Sequence, residues 1–524
     1  MPSFGPGFIN VETESGFPAA TGRDFTSRLG WMVDLINTAA PVPERTLWFP
    51  PGEYRVLAPF TFPPKVILSF APGARLVPIR AILSGDWMVG IAGVVEAPLQ
   101  EIFAATSSGR IVFVGDGTLR VYPEWWGAAR DPEVPDARAD TAAIKAAFRA
   151  ALIDREAPLM ELRPPVTVCF LNDYHIDEPV VLAPPTGMGP LRAVSIAGSP
   201  GRKLKGQAQL MPWPLALLEI RRALRVDIRD LSLEAGGFWE TCLTVSCDVS
   251  SDRQLHQVLL TDCSFRGARS TQVAISDLAM APPLAGELTA IVRGCRFALD
   301  DIADTDLELP PVVDPQSIPV PLRGQVLSKA AGLSFRAGFG AELTVESGDF
   351  RGYFRRGVRV TGGVRTKVTA CTFHFLDNPE NLFPNGAAVA LDRLGLPGAL
   401  LPSLNAMGCV AMTPSFLWVD APTAGEWQKS PEALERGMTV VLTSISHRVD
   451  RSRGLGLYWP PAVVWRGVRS PLHVTVNGNS TLTLIGCAFE VPVAAPLMPS
   501  ASWRRDSKEP RKINLSISLV RNFV

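Results

Sequence analysis

Residues 258–265 read Val-Leu-Leu-Thr-Asp-Cys-Ser-Phe, and residues 290–297 read Ala-Ile-Val-Arg-Gly-Cys-Arg-Phe. Both have the form apolar-x-apolar-x-x-small-x-large apolar. Side chains two apart share one face of a strand, so Val258 and Leu260 point the same way. The two-residue interruption before Cys263 marks a bend into a second short strand carrying Cys263 and Phe265. The form recurs at Val226, Ile228, Leu231 and Leu233, at Leu343, Val345, Gly348 and Phe350, at Thr366, Val368, Cys371 and Phe373, and at Leu482, Leu484, Cys487 and Phe489. A motif repeated at unequal steps describes stacked coils with connections of different length.

The fold expected from this pattern is all-β: a right-handed parallel β-helix, a solenoid of three-strand coils. Equivalent positions stack, so Cys263, Cys295, Cys371 and Cys487 form an internal ladder beside a ladder of phenylalanines. Cysteine then serves as a small hydrophobe. Eight cysteines without a Cys-x-x-Cys pair in 524 residues suit neither a disulfide scaffold nor a structural zinc site.

Composition agrees with a large buried core. Apolar residues make up 47% of the chain and charged residues 19%, with a mean hydropathy of +0.16, which excludes a disordered or coiled-coil protein. Lysine plus arginine equals aspartate plus glutamate, 51 against 51, so no nucleic-acid footprint is expected. No apolar stretch is long enough to insert in a membrane, and Met1-Pro2-Ser3-Phe4-Gly5 does not begin a secretion signal. The location expected is a virion or other extracellular particle, or the cytoplasm until release.

Asp140 is suited to cap a helix whose residues Ile144, Ala147, Phe148 and Ala151 share a face. Such a helix would plug the open end of a solenoid. A weaker copy lies upstream, where Asp24-Phe25-Thr26 opens a helical run to Ile36, followed by Trp48-Phe49-Pro50-Pro51-Gly52-Glu53-Tyr54. Its counterpart is Cys169-Phe170-Leu171-Asn172-Asp173-Tyr174. The organisation read from these features is an appended N-terminal unit over residues 1–120, a capped β-helix over 121–495, and a basic linker and strand over 496–524.

Tyr122-Pro123-Glu124-Trp125-Trp126-Gly127-Ala128, followed by Asp140-Thr141-Ala142-Ala143-Ile144, resembles the opening signature of the pectate-lyase-like superfamily. That β-helix domain is shared by rhamnogalacturonases, epimerase-related proteins and many phage tailspikes. The resemblance implies a protein that grips a surface polysaccharide, a homotrimeric assembly, and attachment to a larger phage-like particle through residues 1–120. It also implies packing roles for Trp125 and Trp126.

For chemistry, the densest acidic cluster is Asp300-Asp301-Ile302-Ala303-Asp304-Thr305-Asp306-Leu307-Glu308, directly after the coil ending at Phe297. Paired carboxylates there suit general acid and base for glycoside cleavage, or hard oxygen ligands for calcium. Asp300-Asp301 and Arg365-Thr366-Lys367 are similar to two polygalacturonase-like elements, whereas the Gly-His-Gly and Asn-Thr-Asp elements are missing. A lyase would need a base such as Arg355, Arg356 or Arg359, with Arg356 the first choice. Trp427, Trp459 and Trp465 offer rings for sugar stacking. None of the five histidines stands at metal-ligand spacing, so surface or hydrogen-bonded roles are expected for them. Two readings result: a tailspike-like polysaccharide binder, as a lyase or hydrolase if it also cleaves, or a non-catalytic structural or decoration component of a phage or contractile injection particle.

Overall fold

The computed structural model describes residues 8–14, 20, 24–38, 44–79, 88–104, 110–129, 136–152, 165–184, 189–207, 216–237, 239–248, 254–277, 287–299, 331–352, 354–375, 386–392, 402–420, 439–448, 463–466, 481–485, 487–489 and 516–520. The chain divides into two compact units, Met1–Pro184 with Ala193–Gln207 and Pro185–Arg192 with Ala208–Val524. Both are built from parallel strand ladders, and the fold is an all-β parallel β-helix.

In the larger unit each coil has three strands. The first wall is formed by Ala223–Arg229, His256–Thr261, Leu288–Arg293, residues 342–346 and 365–369, Ser403–Met407, Thr439–Thr443, Thr481–Ile485 and Ser516–Val520, each paired in parallel with the next. Its inner positions form the ladders anticipated from the repeat, as in Ile228, Leu260, Val292, Val345, Val368, Ala406 and Leu442, all fully buried. The second wall holds short strands such as Ser264–Arg266, Arg296–Leu299, Asp349–Gly352 and Thr372–Phe375. The third includes Thr241–Cys247, Thr271–Asp277, residues 331–336 and 356–361, Ala387–Asp392 and Ser415–Asp420.

The bend between the first and second walls has one geometry throughout. Asp230, Asp262, Gly294, Ser347, Ala370, Gly408 and Ser444 all adopt left-handed φ values between 52° and 64°, a conformation that costs non-glycine residues about 1–2 kcal/mol. Each donates its backbone N–H to a carbonyl of the next coil, from Asp230 to Thr261 at 3.0 Å through Ser444 to Ile485 at 2.8 Å. The N–H of the bend residue is therefore paired in each of these coils, which offsets the strain.

Directly after the bend come the two predicted ladders. All eight cysteines are buried and free, and the Sγ atoms of Cys263, Cys295, Cys371, Cys409 and Cys487 lie 3.3–3.6 Å from the carbonyls of Thr261, Arg293, Thr369, Met407 and Ile485. A thiol fits this place because it is small, apolar and able to donate weakly to the bend carbonyl. Contact with Cys263, together with burial, pushes the Cys295 thiol well above its ordinary range. The phenylalanines stack face to face: Phe265 on Phe297 at 5.5 Å, Phe297 on Phe350 at 4.5 Å and Phe350 on Phe373 at 4.8 Å. Glycines on the third wall make room for them. A Cβ on Gly332 would come within 2.5 Å of the Phe350 ring, and one on Gly357 within 2.6 Å of the Phe373 ring.

Between Phe373 and Cys487, where the sequence motif shows nothing, two more coils continue the same register. Leu404, Ala406, Cys409 and Ala411 form one, and Val440, Leu442, Ile445 and His447 the other. The phenylalanine position is occupied there by alanine and then by histidine, which hides the repeat. His447 is 1% exposed and its Nε2 donates to the Thr413 carbonyl at 2.8 Å, while His256 donates from Nδ1 to the Ala223 carbonyl at 2.9 Å. Both act as hydrogen-bonded core histidines.

The smaller unit contains a capped module twice. Helix α1 (Thr26–Thr38) precedes strands Arg45–Phe49, Gly52–Val56 and Phe60–Phe62, over which Val66–Phe70, Ala74–Pro78 and Met88–Ile91 stack in parallel. Helix α2 (Ala137–Leu152) precedes Thr167–Cys169, Tyr174–Ile176 and Val180–Leu182. The latches match. Tyr54 donates its hydroxyl to Glu12 Oε1 at 3.0 Å, and Tyr174 donates to Glu124 Oε1 at 2.6 Å. Thr26 Oγ1 accepts from Leu57 N at 2.7 Å, and Thr141 Oγ1 from Asp177 N at 3.1 Å. The duplication suggested by sequence is a structural one, and the described strands between Arg45 and Phe113 stack in parallel as β-helix coils do.

Candidate functional site

The segment that carries the family resemblance turns out to be a structural latch. Glu124 is 3% exposed and also accepts from Asn172 Nδ2 at 2.6 Å, while Asp140 accepts from the backbone N–H of Ala129 at 2.7 Å and of His175 at 2.9 Å. Burial raises both carboxyls above the ordinary carboxylate range, against the opposing pull of these donors. Trp125 and Trp126 are buried beside Phe103, at 6.2 Å and 5.1 Å between ring centres. Glu124, Asp140 and Thr141 of the signature thus tie the two helical turns to the segment 172–177, which explains why the signature marks the fold.

The sequence-nominated site residues fall in different places. Asp300, Asp301, Trp427 and Trp459 lie outside the described residues. Trp465 is in the strand Val463–Arg466 and pairs in register with Val419. Arg356 begins the strand Arg356–Thr369, at an outward position of the third wall in register with Ala387 and Ser415.

Around Arg356 the third wall gathers polar and aromatic groups across successive coils. Arg359, Ala390 and Trp418 stand in one outward row, and Thr361 and Asp392, two residues further along their strands, face the same way. The Arg356 guanidinium lies 4.7 Å from the centre of the Trp418 ring, an attraction between cation and ring face worth about 0.5–2 kcal/mol. It reaches the ring by crossing the coil of Ala387 and Ala390, whose small side chains leave the passage open. Arg359 Nε donates to Asp392 Oδ2 at 2.6 Å, with the arginine side chain 45% exposed. Arg356 and Trp418 are buried at 6% and 2% exposure, so they form the floor of the cluster, and Arg359 with Asp392 its solvent-facing part. Trp418 was not singled out from sequence, because the strand SFLWVD reads as continuous core; only the register shows that alternate members face outward.

Elsewhere on the walls the strand carboxylates lie under arginines: Glu219 with Arg221, Asp227 with Arg229, Glu234 with Arg266, Glu342 with Arg365, Glu346 with Arg293 and Asp349 with Arg351, at 2.7–3.9 Å. Arg296, Lys367 and Arg448 form no ion pair among the described residues. No described group of three or more histidines, cysteines or acids is close enough to hold a metal ion, and no described helix is long and apolar enough to cross a membrane.

No protein-family model matches the chain, and no curated protein matches it. Among solved structures it is similar to ORF18 of Geobacillus virus E2, with 12% identity and a TM-score of 0.42 over 71% of this chain and 62% of that one. It is also similar to PfbA, a surface adhesin of Streptococcus pneumoniae, with 10% identity and a TM-score of 0.35 over 93% and 90%. A third similarity is to the catalytic unit of a thermostable GH87 alpha-1,3-glucanase from Streptomyces thermodiastaticus strain HF3-3, with 11% identity and a TM-score of 0.22 over 99% and 69%. The chain thus spans less than two thirds of the Geobacillus virus E2 chain. With TM-scores this low, none of the three says what this chain does.

Proposed function

We propose that this chain is a tailspike-like member of the pectate-lyase-like superfamily that binds a surface polysaccharide along the third wall of its larger unit. The observation that carries the reading is the convergence of Arg356, Arg359, Asp392 and Trp418 on one outward face from three successive coils. The Arg359–Asp392 pair supplies adjacent donors and acceptors that match vicinal hydroxyls, carried on strands rather than on a loop. Asp300 and Asp301 remain the carboxylates proposed for cleavage, with calcium as a ligand available to that acidic cluster.

Affinity electrophoresis of the purified chain through a panel of neutral and acidic polysaccharides tests the reading. Retardation by one glycan, weakened about tenfold or more in Arg359→Ala as expected for losing a charged hydrogen bond, supports it. Equal retardation of wild type and variant by every retarding glycan would remove the third wall from recognition. Reducing ends and the absorbance of unsaturated uronic products are followed in the same panel. New ends that vanish in Asp300→Ala and Asp301→Ala make the protein an enzyme, and the absorbance separates lyase from hydrolase.

The second reading, a non-catalytic component of a virus-like or injection particle, is favoured by one feature: the wall carboxylates named above are engaged by arginines and so are not poised for proton transfer. A stably folded protein that neither binds nor cleaves any member of the panel decides for it.

A further inference from the structure

The cluster on the third wall has a charge balance as well as a place. Arg359 and Asp392 sit on successive coils, and the Nε–Oδ2 hydrogen bond of 2.6 Å is the one polar contact that either side chain makes among the described residues. The terminal guanidinium nitrogens and Oδ1 of the carboxylate are therefore left for a ligand. Arg356 differs, because it is 6% exposed and its guanidinium faces the Trp418 ring at 4.7 Å. Its charge is not offered at the surface. Arg336, in register with Thr361, has a partner of its own.

The rest of the face carries no block of one charge. Thr244, Ala274 and Ser334 precede Arg359 in its row, and Ser246 and Ser276 precede Arg336 in the other. Past Asp392 that second row continues through Asp420 to Arg466, an acid and then a base.

We propose that this site takes neutral polysaccharides, through neighbouring hydroxyls, and that Asp392 is the residue that sets the preference against acidic ones. The inference rests on the glycan reading above and names the substrate class for the same site. A carboxylate or sulfate drawn to the Arg359 guanidinium meets the Asp392 carboxylate beside it, so repulsion offsets the attraction. A sugar hydroxyl both donates and accepts. Two neighbouring hydroxyls can therefore satisfy the open N–H groups and the open carboxylate oxygen together. Trp418, at 2% exposure, is too covered to offer a ring face to a sugar, which leaves hydrogen bonding as the selective contact of this site.

Asp392→Asn separates charge from shape, since the amide oxygen can still accept from Arg359 Nε while the compensating charge is gone. Equilibrium binding of the full chain to immobilised dextran, pullulan and galactomannan, each beside its carboxymethylated derivative, is measured at about 0.05 and 0.5 M salt. Wild type is expected to favour the neutral member of a pair by about tenfold or more, with little dependence on salt. Asp392→Asn is expected to gain about tenfold or more for the carboxymethylated member at low salt and to lose that gain at high salt. A gain of binding in the variant cannot come from misfolding. The inference alone is overturned if wild type favours the carboxymethylated member, or if the variant keeps the wild-type preference. Wild type that binds neither member of any pair overturns the inference together with the glycan reading.

Discussion

Inside the larger unit one position carries one kind of side chain coil after coil; on its outside no position does. The inner row Ile228, Leu260, Val292, Val345, Val368, Ala406 and Leu442 is aliphatic throughout, whereas the outward residues next along the same strands are Arg229, Thr261, Arg293, Glu346, Thr369, Met407 and Thr443. Stacking forces this difference. An inward side chain touches its equivalents above and below at the parallel-strand spacing of about 4.8 Å, so each coil constrains the next. An outward side chain meets solvent and is free to serve recognition. Repetition therefore records the fold, and its absence marks where function is located.

The contrast is broken most severely at the centre of the aromatic stack. Phe350→Ala removes a ring packed between Phe297 and Phe373 and should cost about 3–5 kcal/mol, read as a large fall in the denaturation midpoint of the larger unit. Adding volume tests the same core from the other side. Gly357→Ala places a Cβ 2.6 Å from both the Phe373 ring and the Ala388 carbonyl, and about 1–3 kcal/mol of destabilisation is expected in the same melt.

A smaller and pH-dependent effect belongs to the latch of the smaller unit. Burial raises the Glu124 carboxyl, so the folded state holds the proton more tightly than the unfolded chain does. Its contribution is then fully present below the ordinary glutamate range and is lost as pH rises through the elevated folded value. Glu124→Gln keeps an oxygen for Tyr174 and Asn172 and carries no charge. The variant should flatten the decline of melting temperature over that window, and an unaltered slope would show that Glu124 does not carry it. The smallest effect is expected outside: Arg296→Ala, an exposed wall residue without an ion pair among the described residues, should change stability by no more than about 0.5 kcal/mol.

Particular residues show how far sequence carries. Cys263, Phe265, Cys295 and Phe297 announced the corner and both ladders because the two stacked positions use conspicuous residue types. The coils through Cys409 and Ile445 were hidden, since Ala411 and His447 break the aromatic rule while the bend at Gly408 and Ser444 preserves it. The conserved feature of the repeat is a backbone conformation, and many side chains accept it. The duplication was legible from Asp24, Tyr54, Asp140 and Tyr174, but the shared glutamate–tyrosine latch was not, because Glu12 and Glu124 meet their tyrosines across 42 and 50 residues.

Sequence alone determined that this protein is an all-β solenoid of short parallel strands with cysteine and phenylalanine ladders within. That much follows from local alternation, which depends only on the two-residue period of a strand. Tertiary structure decided which outward residues share a face, bringing Arg356, Arg359, Asp392 and Trp418 together although they span more than sixty positions of the chain. Neighbours across coils are set by the length of each connection, and no local pattern encodes that sum.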